Sequence, residues 1–399
     1  MNRLARMMAL TLALLCLFTI GAGAAVARLL PPRLALFELP QVAARTPRGP
    51  GTLPAAARPG SPGSAPTAAG VAAGLTSLLR SGQLGQLTGA MVTNLSTGRV
   101  LYELNQATGF APASTTKIAT AVAALDTLGP AARFTTAVTM QAGPSAGAAG
   151  TARIVLVGGG DPTLAAGRYP ASDYPQPATL SSLAAATAKA LRARHIMAVR
   201  LGFDAGRFSG PLVARGWKPI GTPGNYLASG NVTLITGLEV DQGRLTASGA
   251  PEDSDDPGNY RPRSPTPSVD AARAFARFLG RDGITVRGPA KPVKRETPAV
   301  RPGTELAAVQ SPPLAAIVQQ MLTESNNVIA ETLARQVALA TGRPGTFTGA
   351  AAAVTAVAAR LGARGLHLYD GSGLSPLDRI SPRALVTLIT LAARSGPGR

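Results

Sequence analysis

The chain has 399 residues, with 39 lysines and arginines against 20 aspartates and glutamates, a formal net charge of +19. That length provides for more than one domain and a sizeable core, which excludes a small disulfide-stapled module. A single cysteine, Cys16, lies in an apolar N-terminal run, and only two histidines occur, His195 and His367. Disulfide frameworks, thiolate or multi-histidine metal sites and a cysteine nucleophile are therefore excluded from the folded part, and no metal or cofactor is expected.

In chain order, Arg3 and Arg6 precede an uncharged stretch over residues 7–27 that ends Ala-Val-Ala, the layout of an export signal. Uncleaved, residues 1–27 would serve as a membrane anchor. Residues 28–70 are rich in Pro, Gly and Ala without apolar periodicity and are expected to form a disordered linker. Two β-rich runs around the turn at 94–98 predict a hairpin. Pro112 and Ser114 then open a helix expected over 114–128, stopped by Gly129-Pro130.

Strand-like runs follow at 134–140, 152–160, 195–204, 232–240 and 284–288, with helices at 180–194 and 268–283 and an acidic loop at 251–260. That texture predicts α+β insert material over 134–300. Beyond residue 306 the pattern is helical, over 311–325, 326–342 and 346–361, with Glu331 and Arg335 at i,i+4 spacing. The arginines are scattered along the chain and aromatics make up 4% of it, so no base-stacking nucleic-acid surface is expected.

Ser114-Thr115-Thr116-Lys117 is a Ser-x-x-Lys. Helix positions i and i+3 share a face, which brings the amine to the hydroxyl. A serine needs something to take its proton, and a lysine does so when desolvation lowers its pKa. The spacing alone also fits a capped helix bearing a surface lysine. Ser325-Asn326-Asn327, between two helices, supplies a hydroxyl and an amide, although Ser229-Gly230-Asn231 has the same form in a turn-rich stretch. His367 and Asp370 suggest a catalytic triad with a serine, but both lie in a turn-rich segment and are read as structural. The glycines at 158–160 lack a following Gly-Lys-Ser/Thr and are read as a tight turn. His195 is read as a surface residue.

Six blocks occur in one order: residues 112–120 (PASTTKIAT), 157–164 (VGGGDPTL), Trp217 with its following segment, 270–288, 311–338 and 369–382 (YDGSGLSPLDRISP). Together they resemble the D-alanyl-D-alanine carboxypeptidase/endopeptidase family S13, the class C low-molecular-mass penicillin-binding proteins. The resemblance implies an α+β fold. A β-lactamase-like transpeptidase domain of helices on an antiparallel sheet, discontinuous over 71–133 and 301–399, would be interrupted by the 134–300 insert. It implies Ser114 as the acylated nucleophile, Lys117 as its base, Ser325 as proton relay and Asn327 as ligand of substrate and lysine. Peptidoglycan stem peptides would be the substrate and β-lactam antibiotics covalent inhibitors, in an exported protein of the cell envelope.

Two departures stand out. Asn326 occupies a position where the family usually has Asp. None of Lys117, Lys189, Lys218, Lys291 and Lys294 begins the family's third motif, Lys-Thr/Ser-Gly. A C-terminal truncation that removes the last strands of the sheet is the corresponding expectation. A catalytically impaired wall-binding protein is therefore an alternative; a β-lactamase is a weaker one, because it would lack the long insert.

Overall fold

A computed structural model of the chain describes residues 65–81, 84–85, 87–141, 151–169, 174–219, 221–222, 225–245, 261–295 and 304–394. The export or anchor segment, most of the 28–70 linker and the 251–260 loop fall outside these. Helix α1 (Ala68–Leu79), which the sequence patterning did not anticipate, starts where the Thr67 hydroxyl caps the Gly70 N–H. No described helix is long and apolar enough to cross a membrane.

The predicted hairpin forms from β1 (Ala90–Thr93) and β2 (Val100–Leu104), antiparallel, with Thr93 opposite Val100. A 3₁₀ turn, Ala113–Thr115, leads into α2 (Thr116–Leu128), and Gly129 ends that helix with φ 82°. Next come β3 (Thr135–Met140), β4 (Ala152–Val157), α3 (Leu180–Arg192), β5 (Ala198–Asp204), α4 (Pro267–Arg281), β6 (Thr285–Val286), β7 (Lys291–Pro292) and β8 (Glu305–Gln310). The chain then returns to helices α5 (Leu314–Thr323), α6 (Asn327–Ala340) and α7 (Phe347–Arg360). A short pair, β9 (Leu366–His367) with β10 (Arg379–Ile380), precedes α8 (Pro382–Arg394).

Strands of the middle segment form one mixed sheet in the order β6-β5-β4-β3-β8, with β7 also on β5. β4, β5 and β6 run parallel, joined by α3 and α4 as crossover helices. β3 is antiparallel to both β4 and β8. Two sequence expectations change here. Residues 305–310, expected to lie outside the insert in a helical stretch, form the sheet's edge strand, because their backbone completes the free side of β3. Residues 232–240 are not a strand. They are buried, but their backbone bonds to loops rather than to a strand: Gly237 donates to Ala205 O at 3.1 Å and accepts from Gly160 N at 2.9 Å.

Three apolar clusters hold the described part together. α2, α5, α6, α7 and α8 pack around Ala124, Ile317, Met321, Leu333, Val354 and Leu388. The insert sheet packs one face, through Ile154, Leu156, Val199 and Leu201, on α3 and α4. The third cluster joins insert residues Phe208, Trp217, Val232 and Ile235 to Val328 of α6 and Phe347 of α7. Burial at this density is the main favourable term in folding.

Candidate active site

The 3₁₀ turn that leads into α2 presents Ser114 to solvent, while Lys117 in the first turn of α2 faces inward, 1% exposed. The i,i+3 geometry works as the spacing predicts: the Lys117 Nζ donates to Ser114 Oγ at 3.0 Å. Its two other protons go to Asn327 Oδ1 at 2.6 Å and to the Ser372 carbonyl at 2.9 Å. An ammonium has three donors, so this set saturates it. Burial lowers the lysine pKa to about 8, against the upward pull of the Glu331 and Asp370 charges.

Asn327 begins α6 and is itself oriented, because its Nδ2 donates to the Asn231 carbonyl at 3.0 Å. The Ser229–Asn231 turn, a look-alike of Ser325–Asn327 in the sequence, thus contributes a backbone oxygen to the site rather than a serine. Ser325 occupies the turn before α6 with φ 51°, a left-handed conformation that costs a non-glycine residue about 1 kcal/mol. Its hydroxyl makes no direct hydrogen bond to Ser114 or Lys117; the structure joins Ser114, Lys117 and Asn327 and leaves Ser325 two residues away at the junction. Asn326 caps α6, accepting from Ile329 N at 3.1 Å. Asp and Asn cap helices about equally well, so the departure at this position keeps the helix start intact.

Sequence reasoning missed the support behind Lys117. The turn at 370–375 wraps around Asp370, whose Oδ1 accepts from Ser372 N at 3.1 Å and Gly373 N at 2.7 Å. Its Oδ2 accepts from Ser375 N at 2.6 Å and Trp217 Nε1 at 2.7 Å. Four donors thus converge on the Asp370 carboxylate. Asp378 beside it has its pKa pushed up by burial and by the Asp370 charge, and its Oδ2 receives no donor.

Glu331, fully buried on α6, accepts from Gly371 N at 3.0 Å and Ser372 N at 2.8 Å, which fixes the carbonyl that Lys117 binds. Burial, then Asp370, pushes its pKa up. The i,i+4 spacing of Glu331 and Arg335 does not produce a direct ion pair. Arg335 stacks over Phe347 at 4.1 Å and donates to the Gly345 carbonyl at 3.3 Å. His367 is exposed and bonds Tyr369 Oη at 3.0 Å, so no triad forms with Asp370. The glycines at 158–160 are a close-packing turn: a Cβ on Gly159 would lie 1.9 Å from Thr135 O. No group of three or more metal-ligating side chains occurs among the described residues.

The arrangement supplies a partly depressed amine, a solvent-facing hydroxyl and an amide fixed at both ends. Such a set performs acyl transfer through a serine ester. Comparison with known proteins shows what the chain as a whole is similar to. Carboxypeptidase Rv3627c of Mycobacterium tuberculosis is 35% identical over 333 residues, covering 82% of this chain and 65% of that protein. Carboxypeptidase DacB of Mycolicibacterium smegmatis is 35% identical over 327 residues, covering 81% and 64%. The chain thus spans just under two thirds of the length of these relatives. Penicillin binding protein 4 (dacB) from Haemophilus influenzae shares the fold, with TM-score 0.58 at 22% identity over 77% of this chain and 75% of that one. The D-Ala-D-Ala carboxypeptidase 3 (S13) family model matches residues 71–260 and 227–397, and with the penicillin-binding-protein fold and 35% identity to two carboxypeptidases, the chain belongs to that family.

Proposed function

We propose that the protein is a serine D-Ala-D-Ala carboxypeptidase/endopeptidase that acts on peptidoglycan stem peptides and is acylated by β-lactams at Ser114. The observation that carries this is the buried Lys117 amine, 3.0 Å from Ser114 Oγ and 2.6 Å from Asn327 Oδ1. With a pKa near 8, about one lysine in ten is neutral at pH 7. The neutral amine takes the Ser114 proton as Oγ adds to the carbonyl carbon of the scissile D-Ala-D-Ala bond. The tetrahedral adduct collapses, the C–N bond breaks, and the leaving amine receives a proton, with the Ser325 hydroxyl as the relay. Water then attacks the Ser114 ester and regenerates the hydroxyl. Asn327 keeps one amide hydrogen on Asn231 O and turns the other to the substrate carbonyl. The helix α2 N-terminus favours the charge that develops on the adduct.

The apolar run at residues 7–27 supports export to the envelope, where this substrate lies. Labelled penicillin tests the chemistry. Covalent label on the protein and none on Ser114→Ala is the expected result; equal labelling of both, or of neither, overturns the role of Ser114. Acylation without release of D-alanine from a D-Ala-D-Ala peptide would favour the wall-binding alternative.

A further inference from the structure

Three of the arginines that look scattered in sequence, Arg153, Arg200 and Arg287, meet on one face of the insert sheet. The parallel register of β4 and β5 sets Arg153 directly beside Arg200. β6 pairs Val286 with Val199, and the next residue, Arg287, donates its N–H to Val199 O at 2.8 Å. Arg287 thus takes the place beside Arg200, on the far side from Arg153. The residues that alternate with them, Ile154, Val199 and Leu201, point into the core under α3 and α4. Three guanidiniums therefore stem from one row across three strands, with neighbouring strands about 4.8 Å apart. Lys291 of β7 pairs with Gly202, one step along the same face.

All four cations are exposed. None makes an ion pair or side-chain hydrogen bond among the described residues. Together they line a groove of about 460 Å³. Like charges side by side on adjacent strands destabilise a sheet. A ligand that is itself anionic relieves that cost.

We propose that this groove binds a linear phosphodiester polymer of the cell envelope, laid along the arginine row. A row of charges in a concavity fits an extended chain and not a flat bilayer. Guanidinium forks match phosphate oxygens in pairs. No aromatic residue lines the groove, so nucleobases find no stacking surface. The choice of an envelope polymer rests on the proposed cell-wall activity. Binding there would hold the enzyme near its substrate without involving Ser114.

The test uses the full chain and fluorescent poly(glycerol phosphate), with affinity read by anisotropy at fixed salt. Arg153→Gln, Arg200→Gln and Arg287→Gln combined are expected to weaken binding at least about tenfold. The three lysine substitutions at the same sites, which keep the charge but lose the fork, should weaken binding less than the glutamine set and more than not at all. A control with equal charge loss elsewhere, Arg99→Gln, Arg277→Gln and Arg364→Gln, should leave binding unchanged. Equal weakening by both glutamine sets would reduce the effect to net charge and overturn the proposal. Tighter binding to polygalacturonate, single-stranded DNA or phosphatidylglycerol vesicles would overturn the choice of ligand. Penicillin acylation is measured on the same samples. Polymer binding without acylation sinks the catalytic reading alone, and acylation without polymer binding sinks the groove alone.

Discussion

Lys117 carries the most consequence of any single side chain. Its ordinary pKa of 10.5 in the unfolded chain falls to about 8 on folding, because burial disfavours the ammonium. Below pH 8 the amine is protonated in both states and the folded chain bears the full desolvation cost. Between about 8 and 10.5 the unfolded chain binds more protons, so stability rises with pH across that window by about 3 kcal/mol. Lys117→Met removes this dependence. The stability difference between parent and variant, followed by urea denaturation at pH 7 and pH 10.5, should shift toward the parent by about that amount. Acylation by penicillin should rise with pH up to about 8 as the free amine forms, and Lys117→Met should slow it about 10²–10⁴-fold. A pH-independent rate below 8 would contradict the base role.

At the scale of elements, the site is a junction of three pieces of backbone: the start of α2, the start of α6 and the turn at 370–375. Their contact is close enough to be read from one glycine. Gly373 has φ 85°, and a Cβ there would lie 1.8 Å from the Ala113 carbonyl, just before Ser114. Gly373→Ala must push the turn away from α2, which moves the Ser372 carbonyl off Lys117. A stability loss of about 2–4 kcal/mol and acylation slowed at least tenfold are expected, from thermal melts and labelling of the folded fraction. An alanine variant with normal acylation would show that the turn does not set the lysine. α6 reaches three loops through one face, since Asn327, Glu331 and Arg335 recur at i,i+4 spacing and bind the 229–231 turn, the 370–375 turn and the loop at Gly345.

Over the whole molecule, the insert is part of the candidate site and not an appendage. It supplies the Asn231 carbonyl to Asn327 and the Trp217 indole to Asp370. Trp217 is the sole tryptophan, 6% exposed, and packs edge-on against Phe347 of α7 with ring centroids 5.2 Å apart. Its fluorescence therefore reports on this junction. In a urea titration the red shift of its emission should coincide with loss of penicillin acylation. Acylation that survives the red shift would mean the insert can detach without harming the site. Trp217→Phe leaves a buried acceptor of Asp370 without its donor and should cost about 1–3 kcal/mol.

The amino-acid sequence by itself determined what is local. Ser114 and Lys117 meet because they lie three positions apart on a helical turn, and the hairpin, most of the helices and the pause at Ser325 follow from apolar spacing, caps and breakers. Order of motifs was also enough to indicate the family. Tertiary structure alone decided which distant groups complete the site, because most are backbone atoms that carry no side-chain signature: the carbonyls of Asn231 and Ser372, and the N–H groups gathered by Asp370 and Glu331. It likewise decided that Arg153, Arg200 and Arg287 are neighbours. Strand register, a product of long-range packing, sets residues dozens of positions apart side by side.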